Sequence, residues 1–501
     1  MMNIVTPVQD GARHFLVGNQ VARSAGQPWL RDGKHYRQSL RDGRHVILGG
    51  RDVADVTAEP SLGTAIETLG SYFDAQVAIE TQDLLTTVDP ATGNRFSTAW
   101  LVPRSIDDLK RYDAMIRHST TLTFGVFGRP PDYGPVKAVS FVAWNHLIKE
   151  KDPEALGKIE HFLQTGRENN LVSSDVIIDV QANRKLPMPD RQARLRVVEE
   201  RKDGVVLCGA KAGNSVLAQG NIGTVSMPPP DPTMPEECNI WTAIPANAPG
   251  LKMILREPNV SGRENREDNP LNAAGEEADC ILLFDHVFVP WDHVFSYKNK
   301  TLGQIYTTLG QFAFWKIANR LAYRGEIFAG AAQLIVDALG TDHVPAVRAM
   351  VAEVISYAAI LRGMMTAAVE TAQPTESGVM LPNHSFVTAG RLHAIEHYPR
   401  IMQILRDLSG QGLIGRVPQA AWEREDLGDL LDTYLPGYRL DAREKNRLFN
   451  FIWDMTCSSS AMRVALFENI NATPAPALRE ELYRSHDRSN GMNLIRRKLG
   501  L

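Results

Sequence analysis

Arg194–Ala210 reads RLRVVEERKDGVVLCGA, and this stretch decides the fold class. Two strand-like runs, RLRVVEE and GVVLCGA, flank the polar link Arg201-Lys-Asp-Gly204. Short apolar-rich runs joined by a polar turn ending in glycine mark a β-hairpin. Toward the N-terminus the period changes, because Leu62–Gln82, Ile106–His118 and Val136–Thr165 space their apolar residues three and four apart, as helices do. Toward the C-terminus, further strand-like runs fall at Asn239–Ile244, Leu251–Arg256 and Cys280–Val289. Helical spacing then returns through Ile305–Leu339, Val344–Thr371, Ala389–Leu408 and Ala442–Asn469, long segments with short polar links that suit an antiparallel bundle. The expected fold class is α+β, mostly α. It has an N-terminal helical domain over 1–170, a middle antiparallel β domain over 171–297 and a C-terminal helix bundle over 298–501.

Composition narrows the function. Apolar residues make up 44% and charged residues 22% of the 501, as in ordinary globular proteins. A net charge of -4 without a basic block gives no electrostatic footprint for nucleic acid. The opening MMNIVTPVQDGARHF has no basic segment followed by an apolar run, and nowhere do roughly eighteen apolar residues run uninterrupted. A cytoplasmic protein with no membrane partner is expected. Cys208, Cys238, Cys280 and Cys457 are far apart and form no CxxC or Cys/His cluster, so no metal site is expected. Gly410-Gln-Gly-Leu-Ile-Gly415 spells GxGxxG, yet it follows a helical run where a dinucleotide site needs a strand. A glycine-rich break between helices is the better reading.

The sharpest local feature is Gly128-Arg-Pro-Pro-Asp-Tyr133. Adjacent prolines fix their own φ and push the preceding residue out of helical space, so this is a defined turn able to aim Arg129 and Tyr133. On these residues alone, a turn that merely punctuates two helices is the commoner case.

Several stretches in fixed order shift that balance. They are Tyr36-Arg-Gln-Ser-Leu-Arg-Asp-Gly-Arg44, Asp55-Val-Thr57 with Pro60, Tyr72-Phe-Asp-Ala-Gln76, GRPPDY, Asn183-Arg184, Gly209-Ala210 and Glu276-Glu-Ala-Asp-Cys280. Phe284-Asp-His-Val-Phe-Val-Pro-Trp291, Tyr398-Pro-Arg400, Ser409-Gly410 and Gly412-Leu-Ile414 continue the series. From about residue 36 to 470 the chain thus resembles the oxygenase component of 4-hydroxyphenylacetate 3-monooxygenase, a family of two-component FADH2-dependent flavin monooxygenases. The resemblance implies an acyl-CoA dehydrogenase-like fold with a β-barrel-like middle, a homotetramer built as a dimer of dimers, and FAD, used as FADH2, with O2 as cofactors. It implies a separate NAD(P)H flavin reductase as partner and a small aromatic substrate. The chemistry implied is insertion of one oxygen through a flavin C4a-hydroperoxide, which the protein shields from water.

The resemblance also gives the turn a purpose: Arg129 and Tyr133 fall where the family meets the phenolic oxygen. A fixed guanidinium charge stabilises phenolate character there, and a phenol hydroxyl adds a hydrogen bond. Where family members acting on phenols carry a His, this chain has Asp175. A carboxylate only accepts hydrogen bonds, so a substrate presenting a hydroxyl or N–H is expected, with a purely structural pairing of Asp175 to the turn as the alternative. The loop that holds the phenylacetate carboxylate in relatives corresponds to Met227-Pro-Pro-Pro-Asp-Pro and has no hydroxyl pair, which argues against 4-hydroxyphenylacetate as substrate. Flavin contacts carried over by resemblance fall on Val176, Ile177, Gln181, Asn183, Arg184 and Ser215, with Asn469 in a segment lacking the family's Gly-Asp. The competing functions are an acyl-CoA dehydrogenase- or dehydratase-like flavoenzyme and a non-catalytic scaffold of the same fold. His286, His293 and His397 have no ligand-spaced partners and read as structural.

Overall fold

A computed structural model describes residues 28–501 apart from 129, 130, 132, 184, 188–192, 226–232 and 472. Chain order opens with α1 (Gly33–Ser39), the hairpin β1 (His45–Leu48) and β2 (Arg51–Val53), α2 (Pro60–Val77) and α3 (Ile79–Leu85). A second hairpin, β3 (Thr86–Val88) and β4 (Arg95–Ser97), leads to α4 (Ile106–Thr123), α5 (Val136–Ala143) and α6 (Ala155–Asn169). Strands follow: β5 (Ser173–Val176), β6 (Arg196–Glu200), β7 (Gly204–Ser215), β8 (Ile222–Val225), β9 (Ile240–Pro245), β10 (Leu251–Leu255), β11 (Asp279–Pro290) and β12 (Val294–Tyr297). The remainder is α7 (Thr301–Gln304), α8 (Tyr306–Leu339), α9 (Pro345–Glu370), the small ladder β13 (Gln373–Pro374) and β14 (Met380–Leu381), then α10 (His384–Ser409). It ends with α11 (Gln419–Trp422), α12 (Gly428–Tyr434), α13 (Ala442–Thr456), α14 (Ser459–Asn471), α15 (Ala475–Ser485) and α16 (Ser489–Leu499).

The hairpin read from RLRVVEERKDGVVLCGA is present as β6 and β7, paired antiparallel. The middle region, expected as an antiparallel, barrel-like domain, forms a six-stranded sheet, β2-β1-β10-β11-β7-β6, and a four-stranded one, β12-β9-β8-β5, neither of them closed. Both are mixed. β1 runs parallel to β10 because the β1–β2 hairpin arrives from the segment read as helical, and β5 runs parallel to β8 because α6 delivers it. Register shifts between Cys280 and Leu282 and between Phe284 and Val287 bend β11 against β7, as bulges do.

Three expected helices are split. Leu62–Gln82 breaks at Ala78, whose backbone is extended, into α2 and α3. Val136–Thr165 divides because α5 ends at Ala143, a 3-10 turn follows over Asn145–Leu147, and α6 starts only at Ala155, just after Pro153. Ala442–Asn469 breaks after Thr456, where the Ser458 hydroxyl accepts the Ala461 N–H at 3.1 Å and starts α14. The GQGLIG stretch follows helix α10 directly, as a 3-10 turn over Gly410–Leu413. Helix α9 is the one described helix long and apolar enough to cross a membrane by length and composition. Here it packs between α8 and α10, and its Glu353 and Arg362 are paired to Arg400 and Glu326.

Two hydrophobic cores result. One joins α4, α5 and α6 to the C-terminal bundle, and the other fills the space between the two sheets, α1 and α2. The Trp241 ring of β9 lies tilted against the Phe141 ring of α5, their centroids 3.5 Å apart, and meets Phe295 of β12 edge-on at 5.1 Å, tying sheet to helices.

Candidate active site

The turn that carries Tyr133 lies where the two cores meet. Phe127 is buried in the sheet core, Val126 packs against both cores, and Tyr133, 5% exposed, belongs to the helical core with Val136. Arg129 lies outside the described residues. The turn is bracketed by two left-handed glycines, Gly125 at φ 70° and Gly134 at φ 58°. A side chain at Gly134 would put its Cβ 2.6 Å from the Ala99 carbonyl oxygen, so only glycine lets the chain pass there. At Gly128 the same atom would fall 1.7 Å from the Phe467 ring, so α14 lies directly against the turn.

Asp175 stands on β5 opposite Thr224 of β8, whose hydroxyl donates to its carboxylate at 2.5 Å. Of the expected flavin contacts, Val176 is buried and Ile177 half-buried, while Gln181 and Asn183 are exposed on irregular chain beyond the strand. Arg184 lies outside the described residues. The Ile177 carbonyl accepts from the buried Lys211 ammonium at 2.9 Å, which also pairs with Asp179 at 2.8 Å. β5 and β7 are further clasped by the Ser174 hydroxyl, which donates to the Ser215 carbonyl at 2.7 Å.

Ser215 sits at the edge of an ionic cluster. Its hydroxyl donates to Asp279 at 2.6 Å and accepts from Arg463 of α14 at 3.4 Å. Arg463 also pairs with Glu277 at 3.1 Å and Asp279 at 2.5 Å, and Arg256 meets Asp279 at 2.9 Å and Glu276 at 2.7 Å. Burial alone would raise the Asp279 carboxyl, but the bonds and charge of Arg463 outweigh it and hold it below the usual range. Burial likewise works against the Arg463 charge, and Glu277 and Asp279 reverse that, so its proton is held more tightly than usual.

The site residues are thus brought together unevenly. β5, β7 and α14 unite Asp175–Ile177 with Ser215, and α14 reaches back to the Tyr133 turn. Asn469 is exposed on α14, about 9 Å along the axis from Arg463 at 1.5 Å per residue. It borders a separate cavity of about 150 Å³ lined by Tyr357, Tyr398 and Glu468. A cavity of about 740 Å³ lies among Phe96, Leu101, Val142, His161 and Arg167 and holds none of the expected residues. Sequence reading missed Lys316, Arg320, Arg324, Arg463 and Glu468. The signal was present in Lys316-Ile-Ala-Asn-Arg-Leu-Ala-Tyr-Arg324, three cations four apart in an otherwise apolar helix.

Two family models match the chain: 4-hydroxyphenylacetate 3-hydroxylase N terminal over residues 32–296, and its C-terminal counterpart over 302–500. The chain belongs to the 4-hydroxyphenylacetate 3-hydroxylase family. It is 29% identical over 476 residues to the oxygenase component of 4-nitrophenol 4-monooxygenase/4-nitrocatechol 2-monooxygenase from Rhodococcus opacus, covering 89% of this chain and 86% of that one. It is also 29% identical to the FADH(2)-dependent monooxygenase TftD from Burkholderia cepacia, covering 89% and 87%. Among solved structures, the oxygenase component HpaB complexed with FAD and 4-hydroxyphenylacetate superposes with a TM-score of 0.87 at 26% identity, over 94% of this chain and 98% of that one. The fold is therefore acyl-CoA dehydrogenase-like, and the chain is the oxygenase component of a two-component flavin-dependent monooxygenase. A 4-hydroxybutyryl-CoA dehydratase superposes at 0.83 and 22% identity, a likeness of fold alone.

The described residues fit a flavin ring. Gly213, at φ 58°, has no Cβ, and an added one would meet only Ile178 Cδ1 at 4.0 Å. Ile178 is itself an exposed large apolar residue, 43% accessible. Ile178 and Gly213 therefore leave an open, apolar ledge two residues along β7 from the Ser215 hydroxyl, a surface that admits a planar aromatic group.

Proposed function

We propose that this chain hydroxylates a small aromatic substrate at its ring, the substrate being a phenol or an N–H-bearing aromatic other than 4-hydroxyphenylacetate. The observation that carries the reading is the match of both family halves across 32–296 and 302–500, on a fold that superposes on an oxygenase holding FAD and an aromatic substrate. Reduced FAD, when bound, supplies two electrons and activates dioxygen, so that one oxygen atom enters the ring and the other leaves as water.

The chain's own residues have four tasks in this reading. Val176, Ile177 and Ser215 receive the flavin, with Gln181, Asn183, Arg184 and Asn469 as outer contacts. The Ser215 proton is committed to Asp279, so the hydroxyl offers the flavin acceptor capacity and meets an N–H of the ring. Arg129 and Tyr133 hold the substrate oxygen and favour its phenolate character, which pushes electron density into the ring. Asp175, already accepting from Thr224, keeps acceptor capacity for a substrate O–H or N–H. The cleft beside Val126, Phe127 and Arg463, at the seam between the two cores, has a volume of about 20 Å³, room for about one water, so bulk solvent does not fill it.

A separate reductase delivers the reduced flavin, and NAD(P)H is its proposed electron source. A homotetramer is supported by apolar residues left exposed on the C-terminal helix α16, Met492, Leu494, Ile495 and Leu499. We retain the division at 1–170, 171–297 and 298–501 and a cytoplasmic location as parts of the proposal.

The test supplies the purified chain with FAD, an NADH-driven flavin reductase and oxygen, and screens phenols, indoles and aromatic amino acids. The expected result is a product heavier by one oxygen from at least one phenol or N–H aromatic. Flavin oxidation yielding only hydrogen peroxide across the panel would contradict it.

A further inference from the structure

Helix α8 places Lys316, Arg320 and Arg324 on one face, four residues apart, and all three are buried at 3%, 5% and 1% exposure. Three buried cations in a row are costly unless each is bonded. Their bonds converge on the Gly125–Tyr133 turn and on α14. The Lys316 ammonium donates to the Tyr133 carbonyl at 2.9 Å and lies over the rings of Tyr112 and Tyr133, 4.9 and 5.8 Å from their centroids. Arg320 donates to the Gly125 carbonyl at 2.8 Å and to Glu468 of α14 at 2.7 Å, and Arg324 reaches the other Glu468 oxygen at 3.3 Å.

These contacts have a specific consequence for the turn. Its two ends are left-handed glycines, the residues at which a backbone pivots at lowest cost. Each pivot is held by a cation: Arg320 takes the carbonyl of Gly125 itself, and Lys316 takes the carbonyl just before Gly134. Phe467, next to Glu468, fills the space beneath Gly128, and the Arg463 guanidinium lies 4.4 Å over the Phe467 ring while bonding Asp279 and Ser215. An unbroken set of contacts therefore runs from the Tyr133 carbonyl through α8 and α14 to Ser215.

We propose that Lys316 and Arg320 are positioning residues that clamp the two glycine pivots of the turn, and that Glu468 and Phe467 on α14 register the turn against the Ser215 ledge. This rests on the reading that Tyr133 and Arg129 meet the substrate. The clamp fixes the distance between substrate and flavin, so its loss lowers substrate affinity and lets reduced flavin oxidise without product.

The variant Lys316→Met keeps the aliphatic stem and removes the donor, Lys316→Arg restores it, and Tyr133→Phe reports on the turn. Each is measured with reduced FAD and the best phenol from the screen for KM, kcat, product formed per flavin oxidised, FAD affinity and thermal midpoint. Expected for Lys316→Met is a KM raised roughly tenfold, the size of one lost charge-assisted hydrogen bond. Product per flavin falls with it, FAD affinity is unchanged, and Lys316→Arg recovers most of the loss. A folded Lys316→Met with unchanged KM and yield, beside a Tyr133→Phe that shifts both, overturns the clamp and leaves the substrate turn standing. If Tyr133→Phe also changes neither, the reading of the turn itself fails. Should Lys316→Met not accumulate folded, Glu468→Gln is read by the same two quantities: raised KM with lowered yield supports the clamp, and unchanged values overturn it.

Discussion

Arg463→Met tests whether α14 is joined to the sheet by charge or merely packed there. The wild-type guanidinium is 10% exposed and serves Glu277, whose side chain is fully buried, and Asp279, 17% exposed. Removing one partner of a buried pair costs roughly 3–5 kcal/mol, because the remaining charge stays desolvated. Arg256 still holds Asp279 at 2.9 Å, so the lower end, about 3 kcal/mol, is expected. With an m-value of about 3 kcal/mol per M or more, the urea midpoint falls by at most about 1 M. The cluster also has a pH signature. Asp279 has a folded-state pKa below its ordinary 3.8, so its contribution is complete above that value and lost as pH falls through the lowered one. In wild type this acid loss is expected, and in Arg463→Met it is reduced, since the guanidinium that lowers the carboxyl is gone. A folded Arg463→Met with the wild-type urea midpoint and the wild-type acid limb would refute this account of the cluster.

Further outcomes follow from single observations. His293 is buried and its imidazole is pushed down to about 4 from an ordinary 6.5, chiefly by burial and against the opposing charge of Asp292. The unfolded chain therefore binds a proton between about pH 6.5 and 4 that the folded chain does not, and up to about 3 kcal/mol is lost across that window; a His293→Gln variant is expected to flatten the loss in urea titrations at stepped pH. Gly128→Ala drives a Cβ into the Phe467 ring and is expected to cost about 1–3 kcal/mol, with Phe467→Leu in the same chain recovering part of it in thermal melts. Asp175→Asn keeps the shape but adds a donor, so product per flavin oxidised is expected to fall for phenols, and Asp175→His is expected to widen the range of phenols accepted. Equal turnover of every substrate by both variants would retire Asp175 from the site.

Long-period signals were legible and edge strands were not. Helices α8, α9 and α10 announce themselves because an apolar face must repeat every three and four residues over many turns, and the β6–β7 hairpin because its polar link ends in glycine. β1, β2 and β5 are only three or four residues long, and their pairing to β10 and β8 is made by distant chain, so no local period marks them. The mixed, open sheets were hidden for that reason. At the proposed site, Tyr133 and Asp175 are assigned through the resemblance alone, since neither residue type at its spacing specifies a phenol. The α8 cations were written plainly as Lys316, Arg320 and Arg324. Their meaning depends on burial beside a turn nearly two hundred residues earlier, which a single sequence does not display.

The most direct measurement of the central claim is a single turnover. The chain is loaded anaerobically with reduced FAD and a phenol that the screen has identified, then mixed with isotopically labelled dioxygen. The expected product carries one labelled oxygen on the ring, formed in proportion to the flavin oxidised. Unlabelled phenol recovered intact, with all the labelled oxygen in hydrogen peroxide, would contradict the claim.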